Sequence, residues 1–225
     1  MMARLQRGEH LVLCGPCGSG KSTLLARLYA HFMKTGIPCA LSPTTSHLDD
    51  IARAYPEVDT AAIARRKARA RLRMAADLHE GVLLLDHVTD VSSAMIGFIR
   101  RLRGGIAGVV LAIDVEKESD WQRIRHRHLG TSTLPMPPFP TPRLRQLFRT
   151  CCAENLVSNI SRNQEHQILR AARGRPGWIV QCAQLIVEER YWQEETLRAS
   201  LLCVDTEIAL RQGRLELLSV VHDRE

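Results

Sequence analysis

A stretch near the start of the chain has the residue types and spacing of a phosphate-binding loop. It fits the pattern G-x-x-x-x-G-K-[S/T], and its residues are Gly15, Pro16, Cys17, Gly18, Ser19, Gly20, Lys21, Ser22 and Thr23. Glycines let backbone N–H groups converge on phosphate oxygens, and the helix that follows adds a favourable dipole. The lysine reaches the outer phosphates and the serine hydroxyl ligates Mg²⁺. The sequence therefore predicts a triphosphate site lined by these residues, with Ser22 as a metal ligand.

Such a site needs a second group to hold the metal or its waters, and Asp86 is placed to supply it. It follows the apolar run at residues 82–85, where a strand is expected to end. The next residue, His87, stands where many P-loop ATPases have a water-activating glutamate. Because a neutral imidazole offers no fixed negative charge to orient water, we expect hydrolysis that is slow, that uses Asp90, or that needs a partner.

The loop requires a strand before it and a helix after it, and the sequence predicts both. Residues 9–15 are an apolar run, and residues 21–34 have the periodicity of an amphipathic helix. Further apolar stretches alternate with helical patterns and span residues 38–41, 82–86, 106–113 and 131–136. Strands that alternate with helices are typical of a parallel sheet, so we predict an α/β fold.

A cluster of prolines marks a change of pattern. Pro137, Pro138, Pro140 and Pro142 follow the last predicted strand, and beyond them the periodicity is helical. We predict helices at 143–156, 164–173, 177–192 and 195–211, with one further candidate strand at 215–221. The expected domains are a nucleotide-binding core at residues 1–138 and a small helical subdomain at residues 139–225.

Composition excludes several classes of protein. The chain has 225 residues, of which 45% are hydrophobic, and ordinary numbers of glycine (14) and proline (10), which argues against collagen-like, low-complexity and disordered proteins. Its seven cysteines have no framework spacing, and no apolar run reaches the roughly 20 residues that span a bilayer. We therefore expect reduced thiols, no membrane span and a cytoplasmic location.

A predicted helix concentrates positive charge. Six basic residues fall within nine positions at 65–73, and the chain carries a net charge of +7. Such a helix could follow the phosphate backbone of duplex DNA through Arg65, Arg66, Arg69 and Arg73. A solvated helix face or a subunit contact explains the same pattern, so both interpretations stay open.

The order of these features resembles that of the AAA+ ATPases. The phosphate loop and Asp86 stand for the Walker pair, and a further strand, an arginine-bearing helix, a fifth strand and a helical tail follow. The layout is most similar to bacterial origin-recognition, transposition-regulator and secretion-pathway ATPases. The resemblance implies a three-layer αβα core with a parallel sheet and a helical lid, with ATP and Mg²⁺ as cofactors and a homo-oligomer as the working form.

Three further site residues follow from the resemblance alone. Asp114, which ends the fourth predicted strand, takes the polar position called sensor 1. Arg127 is the first choice among Arg123, Arg125 and Arg127 for the finger that reaches a neighbour's nucleotide. In the tail, Arg175 is the candidate for the lid arginine that contacts the outermost phosphate, because the family's usual arginine position is Gly177 here.

These observations predict an ATP-dependent oligomeric switch, with ATPase activity, that acts on DNA or on a DNA-processing partner protein. Two alternatives remain at this point. A small-molecule phosphotransferase shares the phosphate loop and often has an arginine-rich lid. A nucleotide-sensing scaffold that does not hydrolyse ATP is suggested by His87 and by the imperfect lid motif.

Overall fold

The computed structural model of the chain describes residues 1–5, 7–43, 81–88, 108–115, 132–157 and 159–222. The chain divides into two compact units. The first unit comprises Met1–Gly15 and Lys21–Pro135, and the second comprises Pro16–Gly20 and Met136–Glu225. The middle of the phosphate loop counts with the second unit. The expected domain boundary at residue 138 stays a prediction.

The first unit is built on a five-stranded sheet in which every strand pair is parallel. The strands in chain order are β1 (Leu11–Gly15), β2 (Cys39–Ser42), β3 (Val82–Leu85), β4 (Gly108–Asp114) and β5 (Ser132–Pro135). Their order across the sheet is β2-β3-β4-β1-β5. The predicted parallel α/β fold is confirmed, and each strand overlaps a stretch that the sequence predicted.

Burial follows the position of each strand. The three central strands, β1, β3 and β4, are almost continuously apolar and buried, as expected for a parallel sheet covered on both faces. Close packing extends to the backbone, since a Cβ at Gly108 would lie 2.9 Å from the carbonyl oxygen of Leu5. That leucine ends the short helix α1 (Met2–Leu5) and is fully buried. The edge strands β2 and β5 are only partly buried.

Helix α2 (Lys21–Lys34) has the bounds that the sequence predicted. Leu25, Leu28 and Phe32 are its buried apolar residues, which lie three or four positions apart on one face. The helix is followed by Gly36 at a φ of 72°, a left-handed conformation that ends helices without the steric penalty a Cβ carries. This packing fixes the direction of α2 and therefore the positions of its first residues.

The strand order brings three separate parts of the sequence to one edge of the sheet. Because β4 lies between β3 and β1, the carboxyl ends of all three strands are neighbours. Gly15 ends β1, Asp86 directly follows β3, and Asp114 ends β4. In open parallel sheets, ligands bind beyond the carboxyl ends of the strands, so this edge is where a site is expected.

The second unit is mainly helical. Its helices are α3 (Thr141–Glu154), α4 (Arg162–Ala172), α5 (Pro176–Leu185) and α6 (Ala199–His222). They share an apolar core that includes Phe148, Ile168, Trp178 and Tyr191, each at most 2% exposed. Helix α4 begins with a capping box, in which the Ser161 side chain accepts from the backbone N–H of Gln164 and the Gln164 side chain accepts from that of Ser161.

Two tail predictions were wrong in detail. The helix predicted at 177–192 ends at Leu185, and a short 3-10 helix (Glu189–Tyr191) and an antiparallel ribbon of β6 (Trp192–Gln193) and β7 (Thr196–Leu197) follow. Glu194 turns the ribbon at a φ of 55°. The candidate strand at 215–221 is part of α6. Within the described residues, no helix has both the length and the apolar character required to cross a membrane.

Candidate functional site

A buried ion pair lies at the carboxyl edge of the sheet in the first unit. Lys21 is the first residue of α2 and Asp114 the last of β4, and the lysine Nζ lies 2.6 Å from the carboxylate Oδ1. Nζ also donates a hydrogen bond of 2.8 Å to the carbonyl oxygen of Gly15. Both charged side chains are 7% exposed. The ammonium is therefore fixed where β1 and β4 end.

The predicted metal ligands lie at the same edge. The Asp86 carboxylate is 8% exposed, and the backbone N–H of this residue donates to the carbonyl oxygen of Ser42 at 2.9 Å. One carboxylate oxygen, Oδ1, accepts from the backbone N–H of His87 at 2.9 Å. The other, Oδ2, lies 3.9 Å from the imidazole Nε2 of His87. That nitrogen is also 3.5 Å from the hydroxyl of Ser22, so three candidate residues surround one small region.

His87 has an unusual backbone conformation. Its φ is 47°, in the left-handed region that few residues other than glycine adopt, although histidine is among the more tolerant. The conformation is held on both sides, because the N–H of His87 binds Asp86 and the N–H of Val88 donates to the carbonyl oxygen of Ala112. Strained backbone that its surroundings hold in place is commonly found at functional sites. Here it places the imidazole beside Ser22 and Asp86.

The donor set fits a divalent cation that is shared with a nucleotide. Mg²⁺ in such sites takes one or two protein oxygens together with phosphate oxygens and water, rather than a complete cage of side chains. The hydroxyl of Ser22 and the carboxylate of Asp86 are donors of that kind. The described residues contain no group of three or more His, Cys, Asp and Glu side chains that could hold a metal ion.

The middle of the phosphate loop is described in the second unit. Gly18 has a φ of 77° and Gly20 a φ of 95°, values that a side chain at either position would strain. The backbone N–H of Ser19 donates to the carbonyl oxygen of Pro16 at 3.1 Å and closes a turn. The glycines of the pattern therefore stand where the loop backbone requires them.

The loop packs directly on the start of α5. The N–H of Gly177 donates to the carbonyl oxygen of Gly18 at 2.8 Å, which satisfies a donor that the first turn of a helix leaves unpaired. A Cβ at Gly177 would lie 3.0 Å from Cα of Gly18, and one at Gly18 would lie 3.1 Å from the backbone N of Trp178. This contact explains why glycine stands at the position where the family resemblance implies an arginine.

Arg175, the candidate lid arginine, is engaged within the second unit. Its guanidinium donates to both carboxylate oxygens of Glu207, at 2.7 and 3.3 Å, and to the carbonyl oxygens of Ala171 and Ala172. Glu207 also accepts from the indole N–H of Trp178 at 3.1 Å. The hydrogen bond from Arg175 is the main cause that holds the pKa of Glu207 below its ordinary value of 4.5, and the bond from Trp178 acts in the same direction. The phosphate contact of Arg175 stays a prediction.

The sequence reasoning missed the roles of Glu207, Trp178 and Gly177. A buried tryptophan beside an arginine needs an acceptor, which could have directed attention to the acids of the last helix. The remaining predicted residues lie outside the described part of the chain. These are the finger candidate Arg127, the alternative base Asp90 and the basic residues Arg65, Arg66, Arg69 and Arg73.

The seven cysteines are free thiols. Cys14 lies in β1, where burial raises its pKa to about 11 despite the nearby Lys21 charge. Burial likewise raises the pKa of Cys39 to about 12. Thiols with raised pKa values are poor nucleophiles, which supports a packing role for these two residues.

No protein-family model matches the sequence, and no curated protein matches it. The fold of this chain is nevertheless similar to that of several solved structures. The Orc1 protein of Aeropyrum pernix, solved in complex with DNA, has a TM-score of 0.58 and 17% identity, with 93% of this chain and 62% of that chain covered. A mutant of RuvB from Thermotoga maritima has a TM-score of 0.51 and 15% identity, with 93% and 66% covered. This chain therefore spans less than two thirds of either structure, and the likeness concerns the fold.

Proposed function

We propose that this chain, whose fold is that of the AAA+ P-loop ATPases, binds ATP together with a divalent cation at the carboxyl edge of its parallel sheet. One observation carries the proposal. Lys21, Ser22, Asp86 and Asp114 are distant in the sequence, yet the strand order brings them to that edge in the first unit. The sequence pattern of residues 15–23 supplies the backbone N–H groups that bind phosphate.

Each residue has a distinct role in this proposal. Lys21 gives a positive charge to the outer phosphates, which replace Asp114 as its partner. Ser22 and Asp86 hold the cation, with Asp86 already oriented by the N–H of His87. A bound Mg²⁺ neutralises part of the phosphate charge and favours phosphoryl transfer. Asp114, freed from Lys21, becomes a carboxylate near the outermost phosphate, as the sensor 1 position requires.

The binding proposal is tested by equilibrium titration with ATP and Mg²⁺. We expect Lys21→Ala to weaken binding roughly tenfold to a hundredfold, since hydrogen bonds to charged groups contribute about 1.5–3 kcal/mol. Lys34→Ala is the matched control, because Lys34 is exposed at the other end of the same helix. The double variant Lys21→Ala/Asp114→Ala removes both buried charges and separates binding from folding. The proposal would be refuted if neither wild type nor Lys21→Ala bound ATP in this titration.

We infer that hydrolysis is slow. The residue after Asp86 is an imidazole rather than a carboxylate, so no second fixed negative charge is available there to orient water. Steady-state phosphate release measures this rate, and His87→Glu is expected to raise it. The same observation favours a second candidate function, a nucleotide sensor without turnover. Brisk release by wild type excludes that sensor, whereas phosphate transfer to a metabolite would instead favour a phosphotransferase.

We further propose that bound ATP joins neighbouring copies of the chain. The support is the family resemblance, in which Arg127 of one protomer stabilises the phosphates held by the next. Size-exclusion chromatography with and without ATP and Mg²⁺ tests this step. An assembly that forms with ATP and is lost in Arg127→Ala, but not in Arg123→Ala, supports it. A monomer under all conditions would contradict it.

We propose that this basic chain acts on duplex DNA or on a DNA-processing protein. Two facts support this: the net charge of +7 with its concentration at residues 65–73, and a fold shared with a protein solved in complex with DNA. In this proposal ATP loss weakens the assembly and releases the partner.

A further inference from the structure

We propose that Glu207 of α6 is a positioning residue for the phosphate loop, which it holds in shape through the start of α5. The inference rests on the proposed nucleotide site and concerns what keeps that site in its binding conformation. Every contact that carries it lies within the second unit, which includes the loop residues Pro16–Gly20. These contacts lead from the loop to α5 and from α5 to α6.

The contact between the loop and α5 fixes one peptide unit on both sides. The carbonyl oxygen of Gly18 accepts from the N–H of Gly177 at 2.8 Å. The N–H of the same peptide unit is that of Ser19, and it donates to the carbonyl oxygen of Pro16 at 3.1 Å. Because a trans peptide is planar, with its C=O and N–H on opposite sides, the two bonds together set its orientation. The shape of this turn therefore depends on where Gly177 lies.

Gly177 can hold the loop because of its place in α5. The helix begins at Pro176, which has no backbone N–H, so Gly177 supplies the first N–H of the helix. The N–H groups of the first turn have no partner within a helix, and this one is used by the loop. A Cβ at Gly177 would lie 3.0 Å from Cα of Gly18, so the two backbones have little room to move independently. A shift of the start of α5 therefore shifts the loop.

Glu207 holds the start of α5 at two points. The guanidinium of Arg175 donates to both carboxylate oxygens of Glu207, and the indole N–H of Trp178 donates to one of them. Arg175 and Trp178 lie on either side of Gly177 in the sequence. One carboxylate therefore fixes both ends of the short segment that carries the N–H bound to the loop.

The same part of α6 also contacts the loop directly. Leu210 is three positions after Glu207, and a Cβ at Gly18 would lie 3.2 Å from Cδ2 of this leucine. The thiol of Cys17 donates to the carbonyl oxygen of Leu210 at 3.7 Å. Glu207 therefore lies within one helical turn of the loop that it is proposed to position.

Asp205 provides a matched comparison on the same helix. Its carboxylate accepts from the hydroxyl of the buried Tyr191 at 2.9 Å and lies 3.5 Å from the guanidinium of Arg190. Both partners belong to the short 3-10 helix after α5. Asp205→Ala therefore removes an acid with an aromatic donor and an arginine partner, as Glu207→Ala does, but it leaves the bonds at the start of α5 in place.

The direct test is hydrogen exchange of the Gly177 amide, measured by nuclear magnetic resonance on protein without nucleotide. We expect exchange to be roughly tenfold faster in Glu207→Ala, because the start of α5 opens more often, and unchanged in Asp205→Ala. Glu207→Gln keeps one side-chain oxygen as an acceptor and should give an intermediate rate. This variant carries the same test if Glu207→Ala does not fold. A wild-type rate in both Glu207 variants would overturn the inference.

Titration with ATP and Mg²⁺ measures the effect on the site itself. We expect Glu207→Ala to weaken ATP binding roughly threefold to tenfold, whereas Asp205→Ala should keep the wild-type affinity although it also removes a structural contact. In a Gly177→Ala background, Glu207→Ala should have a much smaller effect, because both changes act on the same bond.

The outcomes separate this inference from the proposed function. Equal ATP affinity of wild type and Glu207→Ala, or an undiminished effect of Glu207→Ala in the Gly177→Ala background, would overturn the positioning role and leave the proposed function intact. A wild type that does not bind ATP would refute both.

Discussion

The ion pair of Lys21 and Asp114 means that the lysine already has a partner before any nucleotide binds. The pair is buried and close, with 2.6 Å between Nζ and Oδ1. A phosphate that approaches Lys21 must displace a carboxylate and also tolerate its negative charge. In the proposed nucleotide site, Asp114 would therefore oppose phosphate binding while it pairs with the buried charge of Lys21, and substitution can separate the two effects.

Asp114→Asn should shift this balance. Without the carboxylate charge, we expect ATP to bind roughly tenfold more tightly, while the empty protein becomes less stable because Lys21 loses its buried counter-charge. Thermal unfolding with and without ATP and Mg²⁺ measures both effects. The variant should have a lower Tm than wild type without ATP and a larger increase of Tm when ATP is added. Asp205→Asn, the same change in the second unit, should alter neither the ATP gain nor the affinity. An unchanged gain in Asp114→Asn would show that the pair does not compete with phosphate.

The sequence could identify Lys21 and Asp114 as separate candidates, but it could not show that the two side chains form an ion pair. Lys21 and Asp86 follow from the loop pattern and from the strand before Asp86. That Asp114 lies against Lys21 depends on β4 being next to β1, which no local pattern specifies. The left-handed backbone of His87 is likewise absent from residue spacing, because histidine is not a residue that marks such a conformation.

At the scale of elements, helix α5 is fixed at its start by two sets of contacts within the second unit. Gly177 meets the backbone of Gly18, and Arg175 and Trp178 both bind Glu207 on α6. The first set ties α5 to the loop and the second ties it to the last helix. Each can be disturbed by one substitution.

Gly177→Ala should move the start of α5. The added Cβ would lie 3.0 Å from both Cα and O of Gly18, so backbone must shift. We expect a loss of about 1–3 kcal/mol in the free energy of unfolding, as for overpacked sites, and weaker nucleotide binding because the loop changes shape. Chemical denaturation and ATP titration measure the two effects. Gln184→Ala, at an exposed position late in the same helix, should leave both unchanged.

Glu207 should make the stability of the chain depend on acidity. Its hydrogen bond to Arg175 lowers its pKa below 4.5 in the folded state, so its contribution is present above pH 4.5 and is lost as pH falls through that lowered value. We expect Glu207→Gln to have a lower Tm than wild type at pH 7. On acidification the Tm of this variant should fall by less than that of wild type. Thermal unfolding between pH 7 and pH 3 checks this. Parallel curves for the two proteins would contradict the role assigned to the pair.

Elements were predictable where their patterns were long. Helix α2 has ten or more residues of clear periodicity, and its predicted and observed bounds agree. The ribbon of β6 and β7 escaped prediction because strands of two residues show no alternation. The end of α5 was missed for a related reason, since apolar residues continue beyond Leu185 and imitate one longer helix.

At the scale of the whole molecule, the excess of basic residues should govern association with nucleic acid. The chain carries a net charge of +7, and six of its basic residues are concentrated at 65–73. Electrostatic binding of this kind weakens with salt in proportion to the number of phosphates that are neutralised. The salt dependence therefore reports how many arginines take part.

Neutralising Arg65, Arg69 and Arg73 to glutamine should reduce that dependence. We expect the slope of log K against log salt for duplex DNA to decrease by roughly 2–3, at about 0.9 for each lost phosphate contact. Fluorescence anisotropy at several salt concentrations measures this slope. The control replaces Arg143, Arg162 and Arg170, which are exposed in the second unit and give the same change of charge. Equal slopes for the two triple variants would favour a solvated helix face.

The fold class was predictable because alternation of strands and helices is a property of the whole chain. The proposed nucleotide site could be derived from the sequence only in part, since it combines a local loop pattern with contacts set by strand order. Residues 15–23 belong to the first category, and Asp114 belongs to the second. Distance along the sequence hides the contact of Asp114 with Lys21.

The close approach of Gly18 and Gly177 also limits how this protein can be redesigned. Placing an arginine at position 177, where the resemblance to AAA+ ATPases implies one, is not a single side-chain replacement. Any such graft must first reroute the backbone at two places that are 2.8 Å apart. A successful redesign would therefore first change the length of the connection before α5 and introduce the arginine last.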